Sequence, residues 1–549
     1  MKKNMKAVTL ALVCAMMASM SAGCGANPST SDSSSEASSA VSSSAVSSEP
    51  EVKKDPVTLE WLAYNCYGQP QADAQVVQEM EERFNVKFDF WFIDDQKWEE
   101  MLGARLASGE MPDVMRIKNS SNIPSYVKQG VLAPIDENIQ SKIPETMKVI
   151  NELDPDGTGF TDSYYNGQLY LLKTPTVYGD CATILMWRKD WLTKLGMEIP
   201  TTIDELENVL VAVRDNDPDG DGAKDTYGLS NTSLNAVFGA YGDIPMKEFR
   251  GTGSQKLYYT MRDGKVVFAC VQPEMKEALT KLQQWYKDGL IDPEFVTGEN
   301  TGGYWAISQA FNNDKIAVTG MVTPYHWLTP ESDEIAGGPC WTEFVALHPD
   351  TELGTTVDFG TPFVGPEGKS GTQCTGFWSN SGFGITTQCA EDEDKLNALT
   401  AIMEGLVTDN DLYQTCRLGI EGVDWKYDAE GIPQNLNERT TAESDERGIA
   451  VFTQVGLNYE MMKNVYRPYV QKYFEDHKVS GYTGVLVPST EAETTYLTDL
   501  KTFALDAYIK FITGEEDIAT GWDTYVETIY ALGLGDWIEA EQMIYERTK

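Results

Sequence analysis

From Val57 onward the chain alternates between two periodicities, and that alternation limits its fold more than any other feature. Val57-Thr58-Leu59-Glu60-Trp61-Leu62 reads as a buried strand, and Ala72–Phe84 puts Val76, Val77, Met80 and Phe84 along one side of a helix. Val86–Phe92 is a second strand. Trp98, Leu102, Arg105 and Leu106 mark a second helix that stops at Ser108-Gly109, and Pro112-Asp113-Val114-Met115-Arg116-Ile117 opens a third strand. Strand and helix in turn predict an α/β body around a parallel sheet.

Ahead of that body stands a leader. Lys2, Lys3 and Lys6 give a positive start, and the apolar run Ala7–Met20 is too short to span a bilayer, so it reads as an export signal. Ser21-Ala22-Gly23-Cys24 resembles a lipobox, with Ser21 in place of the usual Leu, and makes Cys24 the expected site of lipidation; a plain signal peptide is the alternative. Residues 25–50 are mostly Ser, Ala and Glu and cannot repay the entropy of folding. They read as a tether with a reach of about 30 Å.

The remaining length, about 490 residues, suits two large lobes or three small domains better than one core. Nothing after the leader is apolar for long enough to cross a membrane. Net charge is −41, which makes nucleic acid an unsuitable partner and favours a soluble monomer. Thirteen Trp and 26 Tyr supply amphipathic rings suited to sugar or peptide binding. Beyond Cys14 and Cys24, the cysteines are Cys66, Cys181, Cys270, Cys340, Cys374, Cys389 and Cys416. None stands in a CxxC pair, so mostly unbridged thiols are expected.

The stretch Ala107-Ser108-Gly109-Glu110-Met111-Pro112-Asp113-Val114, followed by Gly130-Val131-Leu132-Ala133-Pro134-Ile135, resembles the first lobe of extracellular solute-binding lipoproteins of ABC importers, carbohydrate-binding type (family 1-like). Tyr165–Leu172, Trp187–Gly196, Pro200–Leu206, Leu282–Pro293, Lys315–Gly320, Gly419–Trp425 and a last helix at Trp522–Gly533 are similar to later parts of that family, in the same order. The resemblance implies an α/β, two-lobed periplasmic-binding-protein-like fold with an interlobe ligand cleft. The implied division is 1–23 signal peptide, 24–55 lipidated Ser-rich tether, 56–180 and 323–375 lobe 1, and 181–322 and 376–549 lobe 2.

The sharpest local motif is Asp217-Pro218-Asp219-Gly220-Asp221-Gly222-Ala223-Lys224-Asp225. Asp217, Asp219, Asp221 and Asp225 stand at positions 1, 3, 5 and 9 of a calcium loop, with the Ala223 carbonyl at position 7 and Gly222 at position 6 allowing the sharp turn. Gly228 occupies position 12, so the usual bidentate Glu is missing, and Thr226, water or a distant carboxylate has to complete the shell. The alternative is a plain acidic turn. The resembled family carries such loops as structural calcium sites, which makes calcium the expected cofactor.

No GxSxG elbow, HExxH pair or phosphate loop is present, and His326, His348 and His477 are far apart in sequence. No catalytic residue is expected. A sugar asks for flat rings beside hydrogen-bonding groups. At the lobe edges implied by the resemblance, that mixture occurs at Tyr64 and Asn65, at Tyr178 and Asp180 with Trp187 and Arg188, at Tyr325 and Trp327, at Trp378 and Asn380, and at Glu421 and Trp425. Core packing is the alternative for each ring. The reading is a lipid-anchored, cell-surface substrate-binding protein that delivers a carbohydrate, an oligosaccharide, to an ABC importer permease. A two-carboxylate surface glycosidase and a peptide or adhesion receptor are the alternatives.

Overall fold

The computed structural model describes residues 55–94, 97–176, 181–246, 257–296, 309–330, 337–375, 377–429, 431–437, 439–464, 475–476, 479, 481–482, 484 and 490–548. Strands β1 (Val57–Leu62), β2 (Val86–Phe90) and β3 (Val114–Ile117) form as expected, with helices α1 (Gln75–Phe84) and α2 (Trp98–Ala107) between them. β1 pairs in parallel with both neighbours, Val57 opposite Val86 and Trp61 opposite Val114. Two further strands make the sheet mixed. β4 (Leu172–Pro175) and β8 (Trp378–Ile385) give the order β2-β1-β3-β8-β4, and β8 runs antiparallel to both β3 and β4.

Trp61 shows how this sheet buries its face. Its ring meets Phe88 of β2 and Phe452 edge-on at 5.5 and 5.3 Å, and its indole N–H donates to the Val451 carbonyl at 3.2 Å. Asp113 fastens the sheet to the helix Glu393–Thr408. Its buried carboxylate accepts from the Glu60 N–H at 2.8 Å and from Lys395 Nζ at 2.9 Å on each oxygen. This places a chemical requirement behind the Pro112-Asp113 pair, since an unpaired buried carboxylate costs several kcal/mol, on the order of 3–5.

A second sheet has β5 (Ile184–Arg188) in the middle, flanked antiparallel by β6 (Val318–Val322) and β7 (Val357–Gly360). All of β5 is buried because it is covered on both faces. Leu185 and Trp187 join a core with Trp285, Tyr508 and Trp537, while Ile184 and Met186 join another with Phe311, Trp327 and Phe344.

Core membership places residues 323–457 differently from the expected lobe division, while residues 500–537 share a core with Leu185 and Trp187. Residues 323–357 pack around β5, through Trp327, Phe344 and Val357. Residues 378–457 instead share a core with Leu59 and Trp61, because β8 pairs with β3. The C-terminal end also differs. The helix Ile518–Ile529 is followed by a kink at Gly533 (φ 114°) and another helix, Gly535–Thr548, so Trp522–Gly533 is not the last helix. Among the described residues no helix is long and apolar enough to cross a membrane. Cys66, Cys270, Cys389 and Cys416 are buried and unbridged. The leader, the tether and Cys24 lie outside the described residues.

Candidate functional site

The acidic loop follows directly from a well-terminated helix. Ile203–Asn216 begins with a capping box in which Thr202 and Glu205 satisfy each other's backbone N–H groups, as the Thr-x-x-Glu spacing predicts. It ends where Asp217 turns left-handed (φ 47°). The Asp217 carboxylate then folds the chain back, accepting from Gly220 N–H at 3.2 Å and Gly222 N–H at 3.0 Å. Asp221 accepts from Ala223 N–H at 2.7 Å. Both glycines have positive φ, 84° and 88°, where a side chain would be strained.

The result brings carboxylate oxygens of Asp217, Asp219 and Asp221 within 4.8 Å of one another. Asp219, Asp221 and Asp225 also line a cleft of about 360 Å³, whose far wall includes Gln309, Asn313, Asp314 and Lys315. Thr226 is turned away from the loop. It is buried, and its hydroxyl donates to the Val213 carbonyl at 3.3 Å. Burial and then the hydrogen bond it donates to Asp217 push the Asp219 carboxyl up, while accepting that same bond holds Asp217 down. Crowded oxygens on positive-φ turns are chemistry suited to a hard divalent cation. Asp314 could be found only from the fold, because nearly a hundred residues separate it from the loop; it pairs with the buried Arg188 and lies 3.7 Å from His348.

The expected sugar-facing rings are mostly core. Tyr64 is fully buried, and its hydroxyl donates to the Trp91 carbonyl at 2.7 Å. Trp187 lies inside β5, and Trp327 packs edge-on to Phe311 at 6.2 Å. Trp378 meets Phe160 at 4.7 Å. Trp425 is buried with its indole N–H on the Gly419 carbonyl at 2.9 Å. Each position belongs to a strand, turn or helix whose inward register takes the ring, which proximity to a strand end does not reveal. Arg188 is likewise occupied, forked onto Asp190 and paired with Asp314. Asn65 is half-buried and Glu421 exposed. Tyr178 and Asp180, and the side chains of Tyr325 and Asn380, lie outside the described residues.

Asn65 stands at a particular edge. Because β1, β2 and β3 are parallel, their carboxyl ends share one side of the sheet, the side on which open α/β sheets take ligands. Two exposed aromatic residues, Tyr67 and Phe92, lie just beyond β1 and β2 on that side.

This architecture is the solute-binding-protein fold. The structure superposes on the alginate-binding protein AlgQ2 with a TM-score of 0.61, at 18% identity, over 90% of this chain and 98% of that one. With FusA of Streptococcus pneumoniae, an ABC-transporter substrate-binding protein solved in complex with kestose, the TM-score is 0.61 at 19% identity, over 89% and 99% of the two chains. The chain belongs to the bacterial extracellular solute-binding proteins, whose family pattern matches residues 68–339. In sequence it is 24% identical over 371 residues to the polygalacturonan/rhamnogalacturonan-binding protein YtcQ of Bacillus subtilis, across 67% of this chain and 66% of that protein. It is 27% identical over 291 residues to the fructooligosaccharide-binding FusA of Streptococcus pneumoniae serotype 4, across 49% and 51%. The aligned region thus spans between half and two thirds of these relatives' lengths.

Proposed function

We propose that the protein is a cell-surface, lipid-anchored substrate-binding protein that captures an oligosaccharide for an ABC importer and does no chemistry on it. The observation that carries this reading is membership of the solute-binding family joined to a body with separate cores on either side of the crossing between β4 and β5. Residues 56–176 and 378–464 form one lobe in this reading, and 181–375 with 490–548 the other. Ligand held at one lobe is enclosed when the second closes on it, and contacts available only in the closed form supply the driving force. The permease then receives the closed form. Carbohydrate is favoured because YtcQ and FusA are both named for binding glycans. Calcium in the Asp217–Asp225 loop is favoured by the gathered carboxylates and by relatives described as an EF-hand mutant of FusA and as AlgQ2 without calcium ion. Cys24 carries the lipid anchor.

The test is calorimetric titration of residues 55–549 against a panel of plant and microbial oligosaccharides, with an assay for new reducing ends in the same samples. Saturation at a hundredfold the dissociation constant stabilises a protein by about 2.7 kcal/mol, easily seen as a rise in Tm. Binding without cleavage is expected. Release of reducing ends overturns the non-catalytic reading, and tight binding of peptides with no glycan overturns the carbohydrate. For the anchor, the full chain is expected in the membrane fraction and its Cys24→Ala variant in the medium or as uncleaved precursor.

A further inference from the structure

Beyond β1 and β2 the chain alternates sharply between buried and exposed positions. Cys66 and Gly68 are buried and Tyr67 between them is 46% exposed; Trp91 and Ile93 are buried and Phe92 between them is 38% exposed. The two segments lie side by side. Tyr64 donates to the Trp91 carbonyl at 2.7 Å, and the Cys66 thiol approaches the same oxygen at 3.9 Å. Both segments are also held by further contacts. Asp445 Oδ2 accepts the N–H groups of Tyr67 at 2.8 Å and Gly68 at 3.1 Å, and Gly68 lies so close to the Ala442 backbone that no Cβ would fit. Trp91 is held by its indole N–H on Glu60 at 2.9 Å and by Arg105 stacked 3.3 Å over its ring.

Single exposed aromatics are ordinary on protein surfaces. Two on adjacent segments, each flanked by buried, well-held residues at the carboxyl edge of parallel strands, make a prepaid binding surface, because little loop ordering is left to be lost on contact. We propose that Tyr67 and Phe92 form the aromatic platform that takes the C–H face of a sugar ring, with half-buried Asn65 beside them for its hydroxyls. This rests on the carbohydrate-binding reading and adds which residues set affinity for the ring.

The experiment uses residues 55–549 and whichever glycan of the panel binds best. Tyr67→Ala and Phe92→Ala are each expected to weaken binding about tenfold or more while leaving the ligand-free Tm unchanged, with Tyr67→Trp and Phe92→Trp restoring it. Tyr530→Ala, which removes an exposed ring on the C-terminal helices, is the control and should bind as the parent does. A second measurement needs no variant: tetranitromethane should nitrate Tyr67 in the free protein, and bound glycan should protect Tyr67 but not Tyr530. Parent-like affinity of both alanine variants, or nitration of Tyr67 unaffected by glycan, overturns the platform while the carbohydrate reading stands. If the parent binds no glycan at all, that reading fails and the platform falls with it.

Discussion

Asp445 offers a sharp stability test. The residue is 5% exposed, and burial pushes its pKa up to about 6 even though the Tyr67 and Gly68 N–H groups favour the charged form. A carboxyl raised above its unfolded value near 4 binds more protons in the folded state. Its contribution is therefore fully present below about pH 4 and is lost as pH rises to about 6. Cys66 and Tyr64, whose charges would act on it, do not titrate in that window: burial raises Cys66 to about 11 and Tyr64 beyond its ordinary range. Two pH units correspond to about 2–3 kcal/mol. Both N–H groups point at a single oxygen, Oδ2, so Asp445→Asn can keep both bonds through its amide oxygen while removing the buried charge. The variant is expected to match the parent near pH 4 and to exceed it by about 1–3 kcal/mol at pH 8. Urea unfolding of both proteins at pH 4, 6 and 8, followed by tryptophan fluorescence, measures the difference. A gap that stays constant across pH, or a variant less stable at pH 8, would refute the argument that the charge itself is what burial penalises.

Other consequences follow from other parts of the fold. Lys395→Met leaves the buried Asp113 carboxylate without its cation and should cost about 3 kcal/mol in urea unfolding, the low end for a broken buried pair because Lys395 is partly exposed. Chelator should lower the Tm of the parent but not of Asp217→Asn/Asp221→Asn, and calcium should restore only the parent. Gly159→Ala drives a methyl group into the indole of Trp378 and should lower stability by about 1–3 kcal/mol, read by thermal unfolding. Cys270, Cys389 and Cys416 should resist iodoacetamide at pH 8 in buffer and react in urea, since burial raises all three thiols and shields them.

What could be read from the sequence was local. The β1-α1-β2-α2-β3 run has clean periodicity, the Thr202–Glu205 cap is a four-residue signal, and the Asp217 turn needs only its own glycines. β8 was hidden for a physical reason. Trp-Ser-Asn-Ser-Gly-Phe-Gly-Ile has the composition of a loop, yet it pairs with β3 on one side and β4 on the other. Its glycines are what permit that position, because a side chain at Gly382 would meet the Leu172 carbonyl and one at Gly384 would meet Leu132 and Ile117. A strand squeezed between neighbours by close backbone approach carries no apolar alternation to detect.

The Gly419–Trp425 stretch shows why a recognisable motif need not be a ligand site. Asp424 is buried, accepts the Ile420 N–H at 2.9 Å and pairs with Arg439 at 2.8 Å and Arg447 at 2.7 Å. Gly419 (φ 91°) has no room for a side chain because the Asp424 carboxylate fills that space, and its carbonyl holds the Trp425 indole. Glycine, aspartate and tryptophan in this spacing are thus required by the turn itself. Only the tip, Glu421-Gly422-Val423, faces outward. The motif thus answers to the demands of folding, whereas the ligand preference proposed for Tyr67 and Phe92 rests on exposed side chains that the turn around them does not dictate.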